Sequence, residues 1–193
     1  NSNSVLVVTP ADHYVKDLHQ FTRSMHEAIK AAKCKTIVTL GINPTRPDTG
    51  FGYIHYKGDG MAKNVLTFKE KPELYVAKQM IEQGQHAWNG GMFILQSKTW
   101  LNAIQQSNPK IHKTVLHAWQ SKKSDKWFVQ PDSELFEQSP SDSIDYAVME
   151  KAKEIKIDVK LVVLNAGWSD LGSFDALDDI ENKDNNGNIF KGD

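Results

Sequence analysis

Short apolar runs alternate along this chain with segments whose apolar residues recur three and four positions apart. Val5-Leu6-Val7-Val8 is apolar throughout, as in a strand covered on both faces. After the turn Thr9-Pro10-Ala11-Asp12-His13, residues Phe21, Met25, Ala28, Ile29 and Ala32 fall at helical spacing. Thr36 to Leu40 is a second apolar strand, so the opening reads as strand, helix, strand, the unit that implies a parallel sheet. Gly41 to Gly52, with Pro44 and Pro47, reads as an irregular loop.

Tyr53 to Tyr56 and Asn64 to Phe68 then form a predicted hairpin around Lys57-Gly58-Asp59-Gly60. A helix from Pro72 to Gly84 follows, then a strand at Met92 to Leu95 and helices over Lys98–Gln106 and Lys110–Gln120, parted by Asn108-Pro109. Ser121 to Ser143 is polar and irregular, Ile144 to Lys153 is helical, and Ile155 to Leu164 is the last strand, with a last helix opening near Ser173. This alternation places the chain in the α/β class: a Rossmann-like mixed, mostly parallel sheet flanked by helices. Residues 1–181 read as one body, and Asn182 to Asp193 as a polar tail leading to another module.

Composition narrows the partners. The 193 residues and 39% hydrophobic content suffice for one core. Lys plus Arg number 23 against 24 Asp plus Glu, so the overall charge offers nothing to nucleic acid. Cys34 is the only cysteine, which excludes an intrachain disulfide and any multi-cysteine metal site and agrees with a cytoplasmic setting. No apolar run approaches about 18 residues, so no membrane span is expected. The seven histidines show no zinc spacing, and there is no Gly-x-Ser-x-Gly elbow for a hydrolase.

In an α/β sheet, ligands gather past the carboxyl ends of strands. Asp12 follows the first strand, and Asp170 lies in Gly167-Trp168-Ser169-Asp170-Leu171-Gly172 after the last. Two carboxylates from different strands suit magnesium, which takes one or two of them with water and phosphate oxygens. Each aspartate equally fits a helix N-cap. Glu70-Lys71-Pro72 ends another strand, where Lys71 can neutralise a phosphate, or the pair is an ordinary surface turn. In Trp88-Asn89-Gly90-Gly91-Met92 the paired glycines, Gly91 among them, permit close backbone approach, and Asn89 offers an amide to sugar hydroxyls; a plain turn under Trp88 is the alternative.

Together the segments "TPADH", "TLGINPTRPDTGFGYI", "FKEKP", "WNGGMF", "SIDYAVMEK" and "AGWSDLGSF", in this order, resemble the sugar-1-phosphate nucleotidylyltransferases, most nearly the bacterial mannose-1-phosphate guanylyltransferase branch. That resemblance implies the nucleotide-diphospho-sugar transferase fold and guanylyl transfer from GTP to mannose 1-phosphate with Mg2+. It implies metal binding by Asp12 and Asp170, sugar contacts from Glu70, Asn89 and the Gly52 backbone, and a sugar-phosphate contact from Lys71. Asp145 and Glu150 lie in one of the matching segments, with a structural or a catalytic role.

Two departures stand out: Gly90 replaces the family's usual Ser, and Phe174 its Trp. The family's Gly-rich nucleotide loop, which normally precedes "PADH", has no counterpart here. The expectation is therefore a catalytic domain truncated at its N-terminus, holding the sugar half of the site and inactive alone, with an exposed sheet edge that self-associates or stays partly disordered. The alternative is a non-catalytic subunit that keeps the fold to bind a sugar phosphate and regulate a relative.

Overall fold

The computed structural model describes residues 3–172. The predicted helix near Ser173 and the polar tail lie outside the described residues. Ten strands are described: β1 (Val5–Val8), β2 (Tyr14–Val15), β3 (Ile37–Ile42), β4 (Tyr53–Lys57), β5 (Ala62–Lys69), β6 (His86–Gln96), β7 (Lys123–Ser124), β8 (Val129–Gln130), β9 (Val159–Val163) and β10 (Trp168–Ser169). The α-helices are α1 (Leu18–Ala32), α2 (Leu74–Gln83), α3 (Ser97–Ser107), α4 (Pro109–Gln120) and α5 (Ser133–Glu137), and Asp145–Met149 forms a π-helical turn.

The main sheet has the order β1-β6-β3-β9-β5-β4, with a further pairing of β6 to β4. It is mixed, as expected, but not mostly parallel: among the described residues β3–β9 is the one parallel pair, because the long β6 and the β4–β5 hairpin add antiparallel strands around it. Neighbours β3 and β9 run parallel, while β6 is antiparallel to β1, β3 and β4, and β5 is antiparallel to β4 and β9. The strand–helix–strand unit from β1 through α1 to β3 forms, but β6 inserts between its two strands. The reason is length: β6 spans 11 residues, enough to pair with β1 and β3 along one part and with β4 at His86 to Trp88.

Alternate residues of the central strands face opposite cores. Ile37, Phe93, Leu95 and Leu161 join one cluster with Ala103 and Ile104 of α3 and Val148 of the π turn. Val38, Leu40, Ile94 and Val162 join the other with Ala28 and Ala32 of α1 and Ala77 of α2. Helices thus cover both faces, which is why these strands read as apolar runs rather than alternating ones.

One expectation is corrected. The first strand is not buried on both sides: among the described residues β1 is an edge strand pairing only with β6, and Leu6, Val7 and Val8 are 39%, 46% and 48% exposed. A continuous apolar run marks a strand but not its position in the sheet. The Ser121–Ser143 stretch is also more regular than its polarity suggests, containing the β7–β8 hairpin and α5.

Candidate active site

The "WNGGMF" segment is not a turn but the middle of β6. While β3 advances from Thr39 to Gly41, β6 advances from Phe93 to Asn89, so β6 carries extra residues and bulges at its two glycines. Gly91 has φ +67°, in the left-handed region open to glycine. A Cβ at Gly90 would stand 2.8 Å from the Leu40 carbonyl oxygen. The bulge therefore requires the glycine pair, and it sets the aim of Asn89.

Asn89 is tightly held. Its Oδ1 accepts from Thr39 Oγ1 at 3.1 Å and from the Gly91 N–H at 3.3 Å. Its Nδ2 donates to Asp145 Oδ1 at 2.9 Å, and its backbone N–H donates to the Gly52 carbonyl at 2.8 Å. Of the amide's hydrogen-bonding capacity, one N–H remains for a ligand.

Gly52 sits between Asn89 and Glu70. A Cβ there would overlap Glu70 Oε2 and approach Phe68 Cζ to 3.2 Å and Asn89 Cβ to 3.4 Å. That Glu70 oxygen is buried and accepts no hydrogen bond. Such atoms are rare in folded proteins and mark places where a ligand or water completes the set. Burial raises the Glu70 carboxyl above its ordinary 4.5, Asp145 and Glu150 push the same way, and Lys71 opposes them. Asp145 is likewise raised, chiefly by burial, against the lowering effect of its backbone and Asn89 hydrogen bonds and of Lys71. Lys71 is exposed beside them, with φ +40°, at the turn that ends β5.

The two aspartates arrive on a separate small ladder. β10 pairs antiparallel with β2, Trp168 opposite Val15 and Ser169 opposite Tyr14. Asp170 directly follows β10 and Asp12 lies two residues before β2, so both leave the same end of this ladder. Trp168 Nε1 donates to His13 Nδ1 at 3.2 Å. Asp170 Oδ1 accepts the Gly172 N–H at 3.2 Å, and the Asp12 carboxylate makes no hydrogen bond or ion pair among the described residues. The capping alternative fails for Asp12, because the N-cap of α1 is Asp17, which accepts from Gln20 N at 3.0 Å.

Contacts join this ladder to the segments that carry Gly52 and Asn89. A Cβ at Gly91 would stand 3.5 Å from Pro10 Cγ and 3.6 Å from His13 Cε1. Phe51 bridges Trp168, with centroids 5.7 Å apart, and Trp88, at 4.9 Å. Asp12, Gly52, Glu70, Lys71, Asn89, Gly91 and Asp170 thus belong to segments in mutual contact. No group of three His, Cys, Asp or Glu side chains able to hold a metal occurs among the described residues. A cation here would have two carboxylates and take its other oxygens from water or phosphate, which is the habit of magnesium.

The Nucleotidyl transferase family model matches residues 1–187. This chain is a member of the nucleotidyl transferase family. It is 40% identical over 189 residues to the xanthan biosynthesis protein XanB of Xanthomonas campestris pv. campestris (strain B100), covering 98% of this chain and 40% of that protein. It is also 40% identical over 200 residues to a mannose-1-phosphate guanylyltransferase of Salmonella montevideo, covering 99% of this chain and 41% of the relative.

Among solved structures, one described as mannose-1-phosphate geranyltransferase from Thermus thermophilus superposes with TM-score 0.79 at 33% identity, covering 91% of this chain and 49% of the other. Another, described as mannose-6-phosphate isomerase from Helicobacter pylori, gives 0.79 at 31%, covering 88% and 65%. The chain spans about two fifths of the length of its curated relatives.

Sequence reasoning left the partners of the site unassigned: Thr39 on Asn89, Asp145 on Asn89, Glu150 on Glu70, and the His13–Trp168 pair. Only the "SIDYAVMEK" segment gave a signal for Asp145 and Glu150. The other partners depend on strand register.

Proposed function

We propose that this chain carries the sugar-phosphate and metal-binding part of an enzyme that transfers a guanylyl group from GTP to mannose 1-phosphate. A phosphate oxygen of mannose 1-phosphate attacks the α-phosphorus of GTP; that P–O bond forms as the α–β bridging bond breaks. GDP-mannose results, and pyrophosphate leaves with the bonding pair. Such a transfer calls for positioning and charge neutralisation rather than a covalent intermediate.

The observation that carries the reading is the enclosure made by Gly52, Glu70 and Asn89, in which a buried carboxylate oxygen and one amide N–H stay unspent beside an exposed lysine. Paired acceptor and donor groups of this kind read vicinal hydroxyls. The Gly52 carbonyl is occupied by Asn89, so its N–H is the backbone group that would meet the sugar. Lys71 neutralises the sugar phosphate, and Gly91 lets the substrate approach the backbone of β6. Asp12 and Asp170 would hold Mg2+, which neutralises charge on the reacting phosphates when bound.

Pyrophosphate release by the complete polypeptide, measured with GTP and mannose 1-phosphate, tests the proposal. Release that depends on both substrates and falls on Lys71→Ala is expected. Release driven only by another sugar phosphate, or none at all, would overturn it.

A further inference from the structure

Two acidic residues outside the sugar-facing set hold that set in place. Asp145 and Glu150 open and close the π turn, and Glu150 N donates to the Asp145 carbonyl at 2.9 Å. In an α-helix, residues five apart face different directions; the wider π turn with its i→i+5 bond brings them to one side. Ala147, Val148 and Met149 are buried in the core and anchor the turn.

From that base Asp145 Oδ1 accepts Asn89 Nδ2, and Glu150 Oε1 accepts the Glu70 backbone N–H at 2.9 Å. The consequences are specific. The two ends of a carboxamide are alike in shape, so its orientation must be set by partners. An ionised Asp145 only accepts and so selects the NH2 end, while the Gly91 N–H only donates and so selects the oxygen. Glu150 pins the peptide N–H just before Lys71, a non-glycine residue at positive φ. That pin holds the backbone from which the Glu70 carboxyl lies against Gly52.

We propose that Asp145 and Glu150 are positioning residues for the sugar phosphate: Asp145 orients the Asn89 amide, and Glu150 fixes the Glu70–Lys71 turn, both through one π turn. The assignment rests on the guanylyltransferase reading of the site, and neither residue touches substrate.

Four variants test it: Asp145→Ala, Asp145→Asn, Glu150→Ala and Glu150→Gln. Affinity for mannose 1-phosphate is read by calorimetry. Exchange of the Asn89 side-chain amide and of the Glu70 backbone N–H is read by NMR without ligand. Each alanine variant should bind mannose 1-phosphate about tenfold more weakly, the equivalent of one lost buried hydrogen bond. Exchange should quicken at Asn89 in Asp145→Ala and at Glu70 in Glu150→Ala. Asp145→Asn and Glu150→Gln keep an accepting oxygen and should restore both readouts to within about threefold of wild type. In the complete polypeptide, KM for the sugar phosphate should rise while KM for GTP stays constant.

Alanine variants that bind as wild type, or Asn and Gln variants as impaired as the alanines, would overturn the assignment. If the wild-type chain does not bind mannose 1-phosphate, the functional reading falls instead. The positioning role then stands or falls on amide exchange alone, and unchanged exchange in Asp145→Ala would reject it.

Discussion

Trp168 meets His13 edge-on, with ring centroids 5.2 Å apart and planes at 84°, and donates its indole N–H to the imidazole. This contact clamps the β10 end of the chain against the loop that carries Asp12. The neighbours of the two aspartates are thus fixed to each other by packing and by a hydrogen bond.

Trp168→Phe keeps an aromatic ring and removes the donor. The complete polypeptide should then need about tenfold more Mg2+ for half-maximal pyrophosphate release, the scale of losing an outer partner of a metal site. Asp12→Asn and Asp170→Asn should each cost more than this. An unchanged Mg2+ requirement in both Asn variants would remove these aspartates from the metal site.

Gly52→Ala places a methyl group against Glu70 Oε2. The backbone of Gly52 is hydrogen-bonded to Asn89 and has little room to retreat. We expect a loss of about 1–3 kcal/mol in urea unfolding, as for other overpacked sites, with weaker mannose 1-phosphate binding. Full stability in the variant would mean that the Glu70 side chain swings away freely.

Glu70 also gives a pH signature. Its folded-state pKa lies above the ordinary 4.5, chiefly through burial, so the folded protein holds that proton more tightly than the unfolded chain does. Stability from this group is full below 4.5 and is lost as pH rises through the folded-state value. Glu70→Gln should therefore be the more stable protein at neutral pH, with the advantage vanishing as pH falls below about 4.5.

His86 acts in the opposite sense. Burial lowers its pKa from 6.5, so its contribution is lost as pH falls below that value. The difference between wild-type and Glu70→Gln curves, rather than either curve alone, isolates the carboxyl. A flat difference from about pH 3 to 8 would contradict the assignment. Glu70→Gln should also bind mannose 1-phosphate less well, the usual cost of stabilising a functional residue.

The exposed apolar edge of β1 should make this chain self-associate. Among the described residues β1 is paired on one side only, so its outer edge, carrying Leu6, Val7 and Val8, offers both backbone groups and apolar surface. Val7→Lys should shift light scattering toward monomer without altering the fold. A wild-type chain that is monomeric at high concentration would show the edge to be harmless.

Much of this molecule is legible in local pattern. The helical spacing of Phe21, Met25, Ala28 and Ala32 gave α1, and the Gly58–Gly60 turn gave the β4–β5 hairpin, because periodicity and turn chemistry are properties of neighbouring residues. The burial of β3 followed from its largely apolar run, while β9 is buried although Lys160 interrupts it. The same logic misplaced β1, since an apolar strand looks the same at an edge and in the middle.

The candidate site residues were picked out by residue type and resemblance, but their geometry was not. The glycines in Trp88 to Met92 leave a close backbone approach and a plain turn both open; pairing with β3 shows that they form a bulge inside a strand. The contact of Asn89 with Asp145 joins residues 56 apart, and that of Glu70 with Glu150 joins residues 80 apart. The chain's own order thus determined which elements form and which chemical groups they carry. Strand register and the crossing of long-range connections decided which of those groups meet, because a hydrogen bond depends on distance in space and leaves no periodic trace in the sequence.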